Sequence, residues 1–152
     1  MLDTRIAMIQ MRCVVGEPDR NIGVVDEFLG EAARQQVDIA CFPELGISGY
    51  NAGDTTFPSP EPIPGPSTRK LEDLSAKHGI TFLAGILELD SSGVVYNAQV
   101  VVTPAGVSGS YRKTHVPTTE IGTWSQGADL PVFEHDKARY GIEICYDSHF
   151  PE

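Results

Sequence analysis

Apolar residues along this chain follow two rhythms, one of strands and one of helices. Positions 6 to 15 read IAMIQMRCVV, so Arg5 to Val15 is nearly continuously apolar, the pattern of a strand covered on both faces. Gly16-Glu17-Pro18-Asp19 is a turn and helix start. Asn21 to Gln36 carries apolar residues at 22, 24, 25, 28, 29, 32 and 33, a helical period. Asp38 to Phe42 predicts a second strand. Pro66-Ser67 opens a second helix, with Leu71, Leu74 and Ala76 inward and Gly79 at its end. Ile80 to Leu89 and Val94 to Thr103 predict two strands joined as a hairpin by Asp90-Ser91-Ser92-Gly93. Val132 to Glu134 and Arg139 to Ile144 predict a further short pair around Asp136-Lys137. Residues 51 to 68 are rich in Pro, Gly, Ser and Thr, which predicts a long surface loop of the kind that is usually functional in a small domain.

The order β-α-β-α-β-β, then β-β, argues an α/β fold, and the hairpin makes its sheet mixed. In sheets flanked by helices, ligand sites form at the carboxyl ends of strands. Three chemically able residues fall at or just beyond such ends. Glu44 follows the apolar run Val37 to Phe42. Lys113 follows Val100 to Val102 and its connecting turn. Cys145 ends the run Arg139 to Ile144, and polar residues follow it at once. A cysteine at a sharp turn after a buried strand is aimed at a cleft, and the amides just past it are free to bind an anion. That geometry suits a nucleophile.

Composition narrows the function classes. With 152 residues the chain is long enough for one domain with a real core. The formal net charge of -10 argues against nucleic acid or an anionic membrane as partner. No apolar run approaches the ~20 residues of a membrane helix, and MLDTRIAMIQM has no signal-peptide pattern, so a cytoplasmic location is expected. The three cysteines, at 13, 41 and 145, are too few and too scattered for a disulfide framework. Cys13 and Cys41 read as buried core thiols. His78, His115, His135 and His149 show no paired metal-ligand spacing, and His149 reads as a partly exposed residue at a helix start. No metal or cofactor is expected. G-x-S-G occurs at Gly46 to Gly49 and at Gly106 to Gly109, and neither is the serine elbow G-x-S-x-G.

Three motifs, in order, carry a family resemblance. Glu44 falls in F-P-E followed by a G-Y pair, Lys113 in Y-R-K-x-H-x-P, and Cys145 in G-I-x-I-C-Y-D followed by F-P-E. Together they resemble the nitrilase superfamily, the carbon–nitrogen hydrolases, and the resemblance spans the whole chain. It implies a Glu44–Lys113–Cys145 triad, with Glu120 matching a second glutamate of many members. It also implies an α-β-β-α sandwich of two sheets with helices outside. Family members are longer than this chain, so residues 1–152 are expected to be the N-terminal part of a single carbon–nitrogen hydrolase domain.

The implied chemistry is amide or N-carbamoyl hydrolysis through a thioester. Cys145 would attack the carbonyl, Glu44 would carry protons, and Lys113 with the Tyr146 amide would hold the oxyanion. Glu120 would orient or charge-balance Lys113, and the ammonium would lower the thiol's pKa. Tyr146-Asp147 after the cysteine matches the amidase and carbamoyl-hydrolase branches, where nitrile-cleaving members read Trp-Glu. Nitrile hydrolysis by the same triad is one alternative. A truncated, inactive chain that serves as an interaction module is another. A small-molecule substrate and a homo-oligomer are expected.

Overall fold

A computed structural model describes residues 3–51 and 60–151. Part of the predicted loop over 51–68, namely 52–59, lies outside them. Strand β1 (Ile6–Met8) is followed by helix α1 (Pro18–Arg34), strand β2 (Ile39–Cys41) and helix α2 (Pro66–His78). Strands β3 (Thr81–Leu89), β4 (Val95–Thr103) and β5 (Gly106–Arg112) complete a five-stranded sheet in the order β1-β2-β3-β4-β5. β1, β2 and β3 are parallel, and β3, β4 and β5 are antiparallel, so the sheet is mixed. A separate hairpin pairs β6 (Phe133–His135) with β7 (Ala138–Tyr140).

Both helices form where their apolar period requires. α1 starts within the expected Gly16-Glu17-Pro18-Asp19 segment, at Pro18, which can occupy a first-turn position at no hydrogen-bond cost. It buries Ile22, Val25, Leu29 and Ala32, one stripe at three- and four-residue steps. α2 ends where Gly79 adopts a left-handed φ of 68° and its amide bonds back to Ser75.

Period two along the strands divides the sheet into two faces. Phe82, Ala84 and Ile86 of β3 and Ala98, Val100 and Val102 of β4 pack with Leu29 and Leu71 of the helices. The opposite face presents Ile39, Leu83, Val101 and Tyr111, covered by Phe133 and Ile144 with Tyr140 and Ile142. The layers are therefore helices, main sheet, then the small hairpin.

Three strand expectations change. The apolar run Arg5 to Val15 pairs only over Ile6–Met8, and it is not covered on both faces: Ile6 and Met8 are exposed. Beyond it the backbone leaves the sheet. Val14 is held at both its amide and its carbonyl by the side chain of Asn21, each at 2.8 Å, so a side chain replaces the ladder. β5 was not anticipated, because GVSGSYR has no apolar alternation; its pairing is supplied by β4. The strand expected over Arg139 to Ile144 ends at Tyr140, and Gly141 to Ile144 runs unpaired to Cys145.

One glycine governs how the site is built. The segment Pro43-Glu44-Leu45 crosses directly over β3 at Gly85. A Cβ there would lie 2.6 Å from the Pro43 carbonyl oxygen and 2.8 Å from the Glu44 carbonyl carbon, both backbone atoms. The Ile47 amide bonds to the Gly85 carbonyl at 2.9 Å and fixes the crossing. Gly85→Ala is expected to cost about 1–3 kcal/mol by overpacking. Urea denaturation should show a lower midpoint with an unchanged slope.

Candidate active site

Glu44 stands just past β2, at the start of the turn formed by residues 44–48. Lys113 stands just past β5, its amide bonded to the Asn97 carbonyl at 2.9 Å. Lys113 is fully buried. A buried ammonium is tolerable only with charge partners and satisfied hydrogens. Its Nζ donates to Glu44 Oε1 at 2.7 Å and to Glu120 Oε2 and Oε1 at 2.8 and 3.1 Å. Burial works against the ammonium, but hydrogen bonds to Glu120 and Glu44 outweigh it and raise its pKa above the ordinary lysine value. Lys113 is therefore a fixed positive charge, and all three of its hydrogens face carboxylates.

Glu120, 2% exposed, lies in the turn after β5 and is itself fully engaged. It accepts from the Tyr50 hydroxyl at 2.8 Å and the Trp124 indole N–H at 3.0 Å, besides Lys113. Tyr50 and Trp124 meet edge to face, with centroids 6.0 Å apart. Burial and the Glu120 hydrogen bond push the Tyr50 phenol well above its ordinary pKa. Glu120 and Lys113 thus form a buried ion pair at 2.8 Å.

Cys145 opens a 3-10 helix (Cys145–His149) and is itself left-handed, with φ 49°. For a residue with a Cβ this backbone is strained by about 1–3 kcal/mol. The turn that imposes it is held by Asp147, 4% exposed. Asp147 Oδ2 accepts from the Ile144 amide at 2.9 Å and the Tyr111 hydroxyl at 2.8 Å. Its Oδ1 accepts from the His115 amide at 2.8 Å and the Thr114 hydroxyl at 3.1 Å, with His115 Nδ1 at 3.0 Å. His115 also stacks on Phe150, centroids 4.0 Å apart. One carboxylate thus ties the cysteine turn to the residues that follow Lys113. Burial disfavours its charge, yet these donors prevail and hold Asp147 below the ordinary 3.8.

Cys145 and Glu44 line one cavity of about 360 Å³, whose apolar wall includes Ile39, Leu83, Tyr140 and Ile142. Burial raises the Cys145 thiol above its ordinary 9.0, the Glu44 charge and a hydrogen-bonding interaction with Glu44 add to this, and Lys113 opposes it. Lys113 does lower the thiol as expected, but burial and then the Glu44 charge outweigh it, so the net shift is upward. Tyr146 lies in the first turn of the 3-10 helix, where amides have no partner within the helix. Its ring rests against His149 and Phe150.

A larger hollow of about 810 Å³ lies at the other end of β2, lined by Arg5, Asp38, His78 and Lys137. In it Lys137 pairs with Asp38 at 2.8 Å, and none of the described cysteines lines it. Among the described residues no group of three His, Cys, Asp or Glu is placed to hold a metal. His149 is exposed and ends its helix, where a helix-start position was expected. Cys13 and Cys41 are half-buried, short of the full burial expected, and burial raises both thiols. Sequence reasoning missed Asn97, Tyr50 and Trp124 as parts of the site, and it read Asp147 only as a branch marker. Tyr50 and His115 stood inside the quoted motifs and had a signal to follow; Asn97 and Trp124 had none.

A model of the carbon–nitrogen hydrolase family matches residues 5–152, and the chain belongs to that family. It is 31% identical over 157 residues to a probable nitrilase of Schizosaccharomyces pombe, covering 99% of this chain and 58% of that protein. It is 32% identical over 163 residues to the omega-amidase NIT2 of Homo sapiens, covering 100% of this chain and 58% of that one. The crystal structure of XC1258 from Xanthomonas campestris, a CN-hydrolase superfamily protein, superimposes with a TM-score of 0.88 at 24% identity, over 99% of this chain and 56% of that one. That likeness shows the same α/β fold. The chain spans somewhat over half the length of the curated relatives it matches.

Two substitutions test how the site is held. Glu120→Gln leaves the buried Lys113 short of a countercharge and is expected to cost about 3–5 kcal/mol in urea denaturation. Asp147→Asn is expected to cost about 3 kcal/mol near neutral pH. Because the folded pKa of Asp147 is depressed, its stabilisation is complete above 3.8 and is lost as pH falls through the folded value. The stability gap between parent and Asp147→Asn should therefore narrow below about pH 4.

Proposed function

We propose that this protein hydrolyses a non-peptide C–N bond, in an amide or N-carbamoyl group, through a thioester on Cys145. The observation that carries the reading is a buried lysine clamped between two carboxylates, one of which shares a cavity with a strained, exposed cysteine. A structural ion pair would need neither the second carboxylate nor the cysteine.

The resting thiol is protonated, so Glu44 removes its proton as the sulfur attacks. The carbonyl carbon becomes tetrahedral, and its oxyanion is stabilised by the Tyr146 amide and the charge of Lys113. The three hydrogens of Lys113 point at carboxylates, so its contribution acts through its field, without a direct hydrogen bond. Collapse breaks the C–N bond while Glu44 returns the proton to the leaving nitrogen, and ammonia departs. Water then attacks the thioester and gives its proton to Glu44. The C–S bond breaks, the product leaves as a carboxylic acid, and the thiol is restored.

Tyr146-Asp147 after the nucleophile favours amides over nitriles. The name of the Schizosaccharomyces pombe relative, a probable nitrilase, supports nitrile hydrolysis by the same residues as the second reading. An ammonia-release screen over linear amides, N-carbamoyl amino acids and nitriles separates the two. Cys145→Ala is expected to abolish turnover with the thermal midpoint unchanged or raised, since it removes the covalent intermediate. Retained turnover in that variant would overturn the nucleophile assignment.

A further inference from the structure

Asn97 lies on β4, opposite Leu87 of β3, on the face of the sheet that carries the site. It is completely buried. Its Nδ2 donates to Glu44 Oε1 at 2.7 Å. That is the same oxygen that Lys113 Nζ reaches, also at 2.7 Å. The backbone carbonyl of Asn97 holds the Lys113 amide at 2.9 Å. One residue therefore fixes both the carboxylate and the chain that carries the ammonium. Glu44 Oε1 takes two strong donors, while among the described residues no nitrogen donor reaches Oε2.

The side chain is expensive where it stands. Among the described residues its Oδ1 has no hydrogen-bond partner, although the atom is buried. Such an orphan costs about 1–3 kcal/mol. Turning the amide over would satisfy nothing, because Oδ1 would then face a carboxylate oxygen. An apolar residue would suit a buried strand position better. Folding alone does not explain an asparagine here, whereas the hold on Glu44 does.

We infer that Asn97 is a positioning residue which, with Lys113, occupies Oε1 of Glu44 and so commits Oε2 to proton transfer with Cys145 and with the attacking water. The inference rests on the proposed role of Glu44. A carboxylate tied at one oxygen keeps its second lone-pair face turned to the cavity. A carboxylate tied by Lys113 alone can rotate about its last torsion, and small misplacements of a catalytic group cost large factors in rate.

The test follows the thioester itself and needs no knowledge of the substrate. p-Nitrophenyl acetate is mixed with the purified protein. Sulfur attacks the ester carbonyl, the C–O bond breaks and p-nitrophenolate leaves, so Cys145 carries an acetyl group readable by mass spectrometry. Water then attacks that thioester, Glu44 takes the water proton, the C–S bond breaks and acetate leaves. The lifetime of the acetyl group on Cys145 is compared in the parent, Asn97→Ala, Asn97→Leu and Glu44→Gln. The expected result is a lifetime longer by about tenfold in both Asn97 variants and longest in Glu44→Gln. The thermal midpoint of Asn97→Leu should stay near that of the parent, since loss of the orphan acceptor offsets loss of the hydrogen bond to Glu44.

A merely structural asparagine predicts the reverse: a loosened site admits water, so the acetyl group would not live longer, and the midpoint would fall. Unchanged lifetimes in both Asn97 variants, beside a long one in Glu44→Gln, overturn this inference and leave the proposed function standing. A short lifetime in Glu44→Gln, or no acetylation of Cys145, overturns the proposed function and this inference with it. If one Asn97 variant fails to fold, the other decides; if neither folds, the role is structural and the inference fails.

Discussion

The buried ammonium of Lys113 is the constraint to which the site answers. A charge with no exposed surface must be repaid locally by opposite charge and by a partner for every hydrogen. Here Glu44 and Glu120 supply both, from segments far apart in the chain. That requirement fixes where the turn after β2, the end of β5 and the following turn sit relative to one another. It also sets the field around Cys145: burial and then Glu44 raise the thiol, and Lys113 opposes them.

The scaffold serves this arrangement through close approach. The backbone of Glu44 can lie across β3 only because Gly85 has no side chain in its way. Beside Cys145, Asp147 gathers donors from Tyr111, Thr114, His115 and Ile144 and so joins two turns. The strained φ of Cys145 persists because those bonds over-determine it. Local strain sits at Cys145, and buried hydrogen bonds a few residues away hold it there.

Membership in the carbon–nitrogen hydrolase family agrees with this physical reading without replacing it. The relatives include proteins named for nitriles and for amides. The apolar surface of Ile39, Leu83 and Ile142 lines the cavity that Glu44 and Cys145 share.

By itself the sequence determined what depends on local pattern. The helical period of α1, the glycine stop of α2 and the β3–β4 hairpin followed from residues close in the chain. Glu44, Lys113 and Cys145 stood out as candidates because each fell in a short motif at a strand end, and Glu120 because it followed the second motif closely. Tertiary structure alone decided the rest. β5 exists because β4 offers a ladder to a segment without apolar alternation. Past β1, the side chain of Asn21 takes the backbone bonds of Val14 and keeps that segment out of the sheet. The raised thiol, the grip of Asn97 on Glu44 and the clamp of Asp147 arise between residues tens of positions apart. Hydrogen bonds, burial and charge act through space, and no periodicity along the chain records which distant groups they will bring together.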